Sequence, residues 1–334
     1  MIKVNIVDTT LRDGEQTPGV AYSKQDKIHI TKCLDELGVD IIEVGIPAMG
    51  VEEIDAISEI NQLDLRADLL TWNRMKIEDI DKSIETGCKN IHITVPASDV
   101  HIQKKLKMTK SAVLEQMKKV LHYGKSKGLE ISVGAEDASR ARIGFLYQLY
   151  KTAEQEGVSR LRYADTVGAL DPFSAYEIIR EITLRLECPL EFHGHNDLGL
   201  ATANALGAVK GGAKYISCSI NGLGERAGNT SLEEIAVLLE IYGLYRTDIK
   251  FNQLRSISKI VERYSGRAVH KGKAIVGDDV FSHESGIHVD GLLKDTSTYE
   301  LFPPNWIGRE RKIVLGKHSG RKGKEYVKIC RRFY

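Results

Sequence analysis

Eight short β-rich runs recur along the first two thirds of the chain, and a helix-like segment follows each of them. The helix-like segment 24–37 has apolar residues at helical spacing, and Ser23 is placed to cap its N-terminus. Eight strand–helix pairs in about 245 residues predict an α/β fold, the (β/α)8 TIM barrel. The eight runs are VNIVD (4–8), IIEVGI (41–46), ADLLTW (67–72), NIHITV (90–95), EISVGA (130–135), RLRYAD (160–165), LEFHGH (190–195) and YISCSI (215–220).

Glycine marks the ends of several of these predicted helices, one to three residues before the next strand. It accepts the left-handed backbone conformation that closes a helix. A doubly wound open sheet is the competing fold, and Gly222-Leu-Gly224 could suggest a dinucleotide loop. The next glycine is Gly228, one residue late for GxGxxG, so the motif is incomplete. The helix-ending glycines are Gly38, Gly87, Gly128, Gly157 and Gly212.

The strand–helix rhythm stops near residue 245. An amphipathic helix is predicted near 252–264, and loops containing SGIHVDG, PPNW and GKHSG should follow it. We therefore predict a catalytic barrel over 1–245 and a small, mostly helical C-terminal subdomain over 246–334.

Charge is unevenly divided between these two parts. The chain has 47 Lys and Arg against 46 Asp and Glu, a net charge of +1, but residues 246–334 carry +9 and residues 1–245 carry −8. Near-neutrality of the whole argues against a nucleic-acid partner. The basic tail could meet an anionic ligand or dock on an acidic neighbour, and composition does not choose between them.

Cysteine usage and hydropathy predict a cytoplasmic protein. The five cysteines (Cys33, Cys88, Cys188, Cys218 and Cys330) form no CxxC pair, which is typical of a reducing compartment. The N-terminus shows no basic-then-apolar leader, and no run approaches the roughly 18 apolar residues that span a bilayer. We expect no membrane partner.

Polar side chains stand at the C-terminal end of nearly every predicted strand, where the chemistry of a TIM barrel is located. A purely structural barrel would need no such ring. Its members are Asp8, Arg12, Asp13, Glu43, Trp72, Arg74, His92, Ser98, Glu136, Arg140, Asp165, Thr166, His193, His195, Asn221, Glu225 and Asn229.

The sharpest motif is HGH at 193–195. Alternate residues of a strand share a face, so both imidazoles project together, about 7 Å apart along the strand. Two core histidines bonded to neighbours are the alternative, but a divalent metal uses such a pair as neutral ligands. Asp13 is the best candidate for a third ligand, with Asp8 and Asp197 as alternatives. Turn capping would equally explain Asp8 and Asp13.

Two further charged residues accompany this site. Arg12, beside Asp13, suits a substrate whose oxygen becomes negative during reaction. Glu43 lies among apolar residues, so it needs either a structural arginine partner or a catalytic role. In the tail, His283 and His288 are five positions apart rather than the four of HExxH, so we reject a metalloprotease motif. A catalytic loop and a surface loop stay open there.

Taken together, these stretches resemble the metal-dependent Claisen-condensing family that includes the isopropylmalate, citramalate and homocitrate synthases. The resemblance rests on DTTLRDGEQ (8–16), on HGH, on NGLGERAGN (221–229) and on SGIHVDG (285–291), and it extends to GKHSG near 320. Within the family, GIPAMG (45–50), TWNR (71–74), EDASR (136–140) and YADTVG (163–168) look most like the homocitrate synthase branch, especially the type that serves nitrogen fixation.

The resemblance implies a mechanism and a set of residue roles. A metal held by Asp13, His193 and His195 would chelate a 2-oxo acid, and Arg12 would help to polarise its carbonyl. A base would then take a methyl proton from acetyl-CoA. The family attributes the proton work to residues matching Glu43 and His288, with Tyr299 assisting. It also implies a homodimer in which each C-terminal subdomain completes the partner's active site. Asn229 would stand just behind the metal ligands.

The resemblance also implies how the substrate is held. Arg140 matches the arginine for the distal carboxylate of 2-oxoglutarate, and an ion pair with Glu136 or Asp137 is the alternative. We predict that Arg140→Ala impairs use of 2-oxoglutarate much more than use of pyruvate. Thr166 matches the threonine for the carboxylate beside the keto group, and His92 and Glu136 would line the pocket. The metal can be Mg, Mn, Zn, Co or Fe.

Several alternatives accompany this prediction. Isopropylmalate and citramalate synthases share the chemistry, and a metal-dependent lyase or aldolase shares the barrel. An inactive barrel serving as an assembly partner is the non-enzyme alternative, which the intact Arg12, Asp13, His193 and His195 disfavour. The chain ends soon after GKHSG, so we expect a shortened subdomain, no large regulatory domain and no leucine control.

Overall fold

The computed structural model describes residues 1–320, and its core is a closed barrel of eight parallel strands. The first strand pairs with both the second and the eighth, with Asp8 opposite Cys218. This closure excludes the open doubly wound sheet and confirms the predicted TIM-barrel fold. The strands are β1 (Asn5–Asp8), β2 (Ile41–Gly45), β3 (Asp68–Arg74), β4 (Asn90–Pro96), β5 (Glu130–Glu136), β6 (Arg160–Asp165), β7 (Leu190–Gly194) and β8 (Tyr215–Cys218).

One helix follows each barrel strand and packs its apolar face against the sheet. Ser23 caps the first helix, and it forms a reciprocal capping box with Asp26, as its position predicted. Gly38 ends that helix with φ of +100°, and a Cβ there would lie 2.1 Å from the Asp248 carbonyl oxygen. The helices are α1 (Lys24–Leu37), α2 (Val51–Ile60), α3 (Ile77–Glu85), α4 (Lys110–Ser126), α5 (Ile143–Gln155), α6 (Pro172–Thr183), α7 (Ala201–Lys210) and α8 (Leu232–Ile241).

The chain divides into two compact units. The first is Met1–Ile249 with Tyr264–Arg267, and the second is Lys250–Arg263 with the chain from Ala268 onward. The helix predicted near 252–264 is α9 (Leu254–Ser265). Short parallel strand pairs join Ile2–Lys3 to Tyr245–Arg246 in the first unit, and Ser282–His283 to Lys312–Ile313 in the second.

The segment SGIHVDG is not the predicted loop. Gly286 begins helix α10 (Gly286–Lys294), because glycine at the first position of a helix interrupts no internal hydrogen bond. PPNW forms a short 3-10 turn over Pro304–Ile307. Cys330 and the basic end of the predicted subdomain, residues 321–334, lie outside the described residues.

Across residues 1–320, no helix combines the length and the apolar character that a membrane crossing requires.

Candidate active site

Three potential metal ligands meet at the C-terminal end of the barrel. The Nε2 atoms of His193 and His195 are 3.2 Å apart, and Asp13 Oδ2 lies 3.4 Å from the first and 3.8 Å from the second. All three residues are buried, and their ligand atoms lie within 4.8 Å of one another. Two imidazoles and one carboxylate around a single point form a donor set that suits a divalent cation and leaves positions open for substrate.

The protonation of these groups also suits a cation. Burial by itself would raise the pKa of the Asp13 carboxyl, but the Arg12 guanidinium and the two histidines hold that pKa well below its usual range. Burial lowers the pKa of His195 to about 4, and His193 adds to this effect. An ionised carboxylate and a neutral imidazole are the ligand forms that metals bind.

Arg12 is fixed beside the cluster by two carboxylates. Its Nη1 lies 2.6 Å from Asp13 Oδ2, and its Nε lies 3.1 Å from Glu43 Oε1. The guanidinium also approaches the Trp72 ring, 5.8 Å from the centroid. Glu43 itself is fully buried and ion-paired with Arg12, which corresponds to the structural arginine partner, one of the two alternatives given for this residue. Burial would raise the pKa of Glu43, but Arg12 and Arg162 hold it below its ordinary value.

A chain of alternating charges continues from Glu43 down the inside of the barrel. Arg162 donates from Nη2 to Glu43 Oε2 at 3.0 Å and from Nε to Glu191 Oε1 at 2.6 Å. Arg160 donates from Nε to Glu191 Oε2 at 2.6 Å, and the Ser217 hydroxyl also donates to Glu191. Burial would raise the pKa of Glu191, but the two arginines hold it at about 2.

Sequence reasoning missed Arg160, Arg162 and Glu191, although a signal for them existed. In RLRYAD the two arginines alternate on one face of β6, and Glu191 alternates with His193 on β7. Charged residues at inward positions of a barrel strand require partners inside the barrel.

A cavity of about 310 Å³ opens above this series of buried charges, and Asp13, His193 and His195 form part of its wall. Most of its wall is polar or charged, and the apolar side chains in it are those of Trp72 and Ala164. Of the residues assigned to substrate by sequence, the structure brings His92, Glu136 and Thr166 into the wall. The lining residues are Arg12, Asp13, Gln16, Trp72, His92, Thr94, Lys105, Gly134, Glu136, Arg162, Ala164, Thr166, His193, His195, Glu225 and Arg226.

Arg140 is not among the residues that line the cavity. It forms a bidentate ion pair with Asp137, at 2.8 Å from Nε to Oδ1 and 2.8 Å from Nη2 to Oδ2, and its side chain is 42% exposed. The ion pair that the sequence offered as an alternative is therefore the arrangement present here. Lys105 lines the cavity instead, and its Nζ contacts both carboxylate oxygens of Glu136 at 2.7 and 2.9 Å.

Three other predicted residues lie close to the cluster or its loops. Asn229 pairs with His195 through a backbone bridge, and its Oδ1 is buried without a described partner. Asp8 is fully buried but accepts from the backbone and hydroxyl of Thr10 instead of joining the ligands. Asp197 pairs with Arg226. The structure thus favours Asp13 over both alternatives as the third ligand.

His288 and Tyr299 belong to the second unit and lie against each other. Their rings stack with centroids 4.0 Å apart and an interplanar angle of 21°. His283 Nε2 lies 3.6 Å from Glu300, which also binds Arg311. Both His288 and Tyr299 are exposed on this unit, so their predicted proton-transfer role stays a prediction.

Family comparisons agree with the fold. Residues 3–261 match the HMGL-like family, and residues 275–326 match a family described as the homocitrate synthase post-HMGL domain-like family. The chain belongs to the HMGL-like family.

Individual relatives carry the names of several synthases. A 2-isopropylmalate synthase 2 of Caldanaerobacter subterraneus is 48% identical over 98% of this chain and 86% of its own length. Homocitrate synthase 1 of Nostoc sp. is 46% identical over 96% and 85%. An (R)-citramalate synthase of Methanocaldococcus jannaschii is 46% identical over 97% of this chain, which spans 66% of that protein. The chain is therefore an enzyme of the acyltransferase type, and its relatives do not single out one synthase.

Solved structures support the fold alone. The HMG-CoA lyase of Bacillus subtilis superposes with a TM-score of 0.72 at 23% identity, covering 80% of this chain and 96% of the lyase. An HMG-CoA lyase of Pseudomonas aeruginosa superposes with a TM-score of 0.71 at 19% identity, covering 82% and 95%.

Proposed function

We propose that this enzyme condenses acetyl-CoA with a 2-oxo acid, that the acid is 2-oxoglutarate, and that hydrolysis of the thioester then yields homocitrate and free CoA. The convergence of Asp13, His193 and His195 beside Arg12, inside one cavity, carries this proposal. The names of the synthase relatives support the reaction class. The match of the tail to the homocitrate synthase post-HMGL domain-like family supports the particular product.

The three ligands would hold a divalent cation, which supplies a Lewis acid for the keto oxygen of the substrate. Arg12 provides a second fixed positive charge next to that oxygen, because Asp13 and Glu43 hold its guanidinium in place. A preorganised cation at the point where negative charge develops stabilises the transition state without reorganisation. Thr166, in the cavity wall, would donate to the substrate carboxylate beside the keto group.

The charges of the buried cluster add to this picture. Arg12, Arg160 and Arg162 balance Asp13, Glu43 and Glu191, so the six ionised groups together are neutral. A divalent cation would leave two positive charges in excess. The two carboxylates of 2-oxoglutarate would supply two matching negative charges.

The polar wall of the cavity supports 2-oxoglutarate over 2-oxoisovalerate. An isopropyl group gains from apolar neighbours, and the wall offers it only Trp72 and Ala164. Isopropylmalate or citramalate synthesis is the second candidate function, because relatives with those names are as similar as the homocitrate synthases. Synthesis for nitrogen fixation or for lysine, the cytoplasmic location and the homodimer with exchanged subdomains stay predictions.

Ionisation places limits on which residue removes the acetyl proton. Glu43 is held ionised by two arginines, and a carboxylate with a lowered pKa is a weak base. We therefore propose His288, stacked on Tyr299, as the proton acceptor for the acetyl methyl group. His288→Gln should lower kcat far more than it changes KM for the 2-oxo acid, whereas an unchanged kcat would return the role to Glu43.

Thiol release from acetyl-CoA tests the reaction class directly. The purified chain would be assayed with Mg²⁺, Mn²⁺, Zn²⁺ or Co²⁺ and a panel of 2-oxo acids, with CoA detected as free thiol and the product by mass spectrometry. We expect metal-dependent release with 2-oxoglutarate as the best acid. No release with any acid and any metal would overturn the synthase proposal.

A further inference from the structure

We propose that Arg162, at the floor of the cavity, recognises the second carboxylate of a 2-oxo dicarboxylic acid, an assignment that rests on the proposed condensation. The family resemblance implies Arg140 for this role, but Arg140 lies outside the cavity wall and is paired with Asp137. Arg162 is in the wall, and its guanidinium is rigidly held.

The hydrogen bonds of Arg162 leave one nitrogen of its guanidinium group available. Nε donates to Glu191 and Nη2 donates to Glu43, whereas Nη1 donates to no side chain or backbone atom within residues 1–320. The side chain is buried in the barrel yet forms part of the cavity wall. A guanidinium fixed by two carboxylates, with N–H groups still unused, is a preorganised site for an oxygen anion.

The two carboxylates that hold Arg162 are shared with other arginines. Glu43 also binds Arg12, and Glu191 also binds Arg160. Asp13 binds Arg12 as well, so the three guanidinium groups and three carboxylates of this network are balanced before a cation or substrate binds. A second carboxylate on the substrate would bind the unused N–H groups of Arg162 and offset part of the charge that a divalent cation adds.

Gly134 leaves room for the His92 ring beside Arg162. A Cβ at this position would lie 2.5 Å from His92 Nε2 and 3.5 Å from Arg162 Cβ, so a side chain there would displace the His92 ring. The backbone of Gly134 is not left-handed, which means that space and not conformation requires glycine here. His92 is neutral, since burial and the nearby Arg162 hold its pKa well below the usual range, so it offers no competing charge.

Strand register places Arg162 at a suitable depth. Ala164 pairs with His193, and Arg162 pairs with Glu191, one layer deeper in the barrel. Two residues along a strand correspond to about 7 Å. A substrate whose keto end lies at the metal ligands would thus direct its other end toward Arg162. In 2-oxoglutarate two methylene groups separate the carbonyl carbon from the second carboxylate, whereas pyruvate and 2-oxoisovalerate have no second carboxylate to place there.

The other cations of the wall are less suitable. Arg226 is committed to both oxygens of Asp197 and to the Thr166 carbonyl. Lys105 is more than half exposed at the rim and is already bonded to both oxygens of Glu136. Arg12 faces the metal ligands.

Two variants and a panel of acids test the assignment. The panel contains pyruvate, 2-oxobutyrate, 2-oxoisovalerate, oxaloacetate, 2-oxoglutarate and 2-oxoadipate. Arg162→Lys keeps the charge but cannot hold two carboxylates and a substrate at once, so the ratio of kcat/KM for 2-oxoglutarate to kcat/KM for pyruvate should fall roughly 100-fold. Gly134→Ala changes no charge and should also reduce the preference for 2-oxoglutarate, because its methyl group displaces the His92 ring beside Arg162.

Arg140→Ala and Arg142→Gln complete the set. Arg142 is an exposed arginine paired with Asp99, so its substitution should leave every acid unaffected. The assignment would be overturned if Arg140→Ala lost the preference for 2-oxoglutarate while Arg162→Lys and Gly134→Ala kept the preference of the wild type. Circular dichroism and the retained rate with pyruvate would show that each variant is folded.

The wild-type panel separates this inference from the proposed reaction. Thiol release with monocarboxylic acids alone would overturn the Arg162 assignment but leave the condensation intact. No thiol release with any acid would overturn the condensation itself. In that case, calorimetric titration with 2-oxoglutarate and with pyruvate in the presence of Mn²⁺ still tests Arg162: equal affinities in the wild type would contradict the assignment, and a preference lost in Arg162→Lys would support it.

Discussion

The Nε2 atoms of His193 and His195 lie 3.2 Å apart at the end of one barrel strand. Two imidazolium ions could not remain at this separation, because their charges would repel in a buried site. Two neutral rings can remain this close, and their Nε2 atoms then lie around one point together with Asp13 Oδ2. Strand alternation created the pair, and barrel closure brought β1 close enough to supply the carboxylate.

We predict that this cluster binds one divalent cation. His195→Asn should lower the affinity for Zn²⁺ and Mn²⁺ by more than about 100-fold, because loss of a direct ligand exceeds the 10- to 100-fold cost of losing a residue behind one. Competition with a chromogenic chelator would give the affinity without any enzyme assay. His122, an exposed histidine near Glu156, provides the control, and His122→Asn should bind metal like the wild type. Equal affinity in all three proteins would exclude the cluster as the metal site.

Asp8 should make the stability of the barrel depend on pH. Burial raises its pKa from 3.8 to about 7, so the folded state holds a proton that the unfolded state releases at lower pH. Between pH 4 and 7 the folded chain binds more protons, and the free energy of unfolding contributed by this group therefore falls as pH rises, by roughly 1.4 kcal/mol per unit of pKa difference.

Asp8→Asn removes this dependence while keeping the contacts with Thr10, since an amide can accept from its N–H and donate to its hydroxyl. Urea unfolding of wild type and variant at pH 5, 6, 7 and 8 would measure the difference. We expect the variant to gain stability relative to the wild type as pH rises toward 7. A constant difference between the two proteins at every pH would disprove the assignment of this titration to Asp8.

Glu191 should be among the most sensitive positions of the barrel interior. Glu191→Gln leaves Arg160 and Arg162 without the carboxylate that both of them share, and breaking a buried ion pair costs about 3–5 kcal/mol. Denaturant unfolding would show this loss as a lower midpoint. The control is Glu115→Gln on the exposed face of α4, which should change stability by less than about 0.5 kcal/mol. Similar midpoints for the two variants would contradict the role of the buried network.

Substitution of Gly207 by alanine distinguishes the effect of helix propensity on stability from the effect of packing. Alanine is favoured over glycine inside a helix by about 1 kcal/mol, so propensity alone predicts that Gly207→Ala stabilises α7. A Cβ at Gly207, however, would lie 2.4 Å from the Pro172 carbonyl oxygen of α6, a backbone atom that cannot rotate away. We expect a net loss of roughly 1–3 kcal/mol.

Gly144 provides the matched comparison in α5, since a Cβ there meets no atom within 4 Å. Gly144→Ala should therefore raise the thermal midpoint slightly, in contrast to Gly207→Ala. If both alanines were stabilising, the close contact between α6 and α7 would not limit the packing.

Much of the fold was readable from local patterns. Period-two runs, helical spacing and glycines such as Gly38 report on single elements, and each of these depends only on neighbouring residues. The HGH pair was equally readable, because strand geometry alone places His193 and His195 on one face. The prediction of a loop for SGIHVDG was wrong. Gly286 is the first residue of α10, and Gly291 lies inside this helix, where the Tyr299 ring leaves no room for a Cβ.

The sequence by itself determined the strand–helix rhythm and the pair of histidine ligands, because both follow from backbone geometry within one segment. Only the tertiary structure decided which distant charges meet. It placed Asp13 instead of Asp8 against the histidines, and it set Arg162 between Glu43 and Glu191. Such partners come from β2, β6 and β7, far apart along the chain, and closure of the barrel is what brings their carboxylates and guanidinium groups within hydrogen-bonding distance.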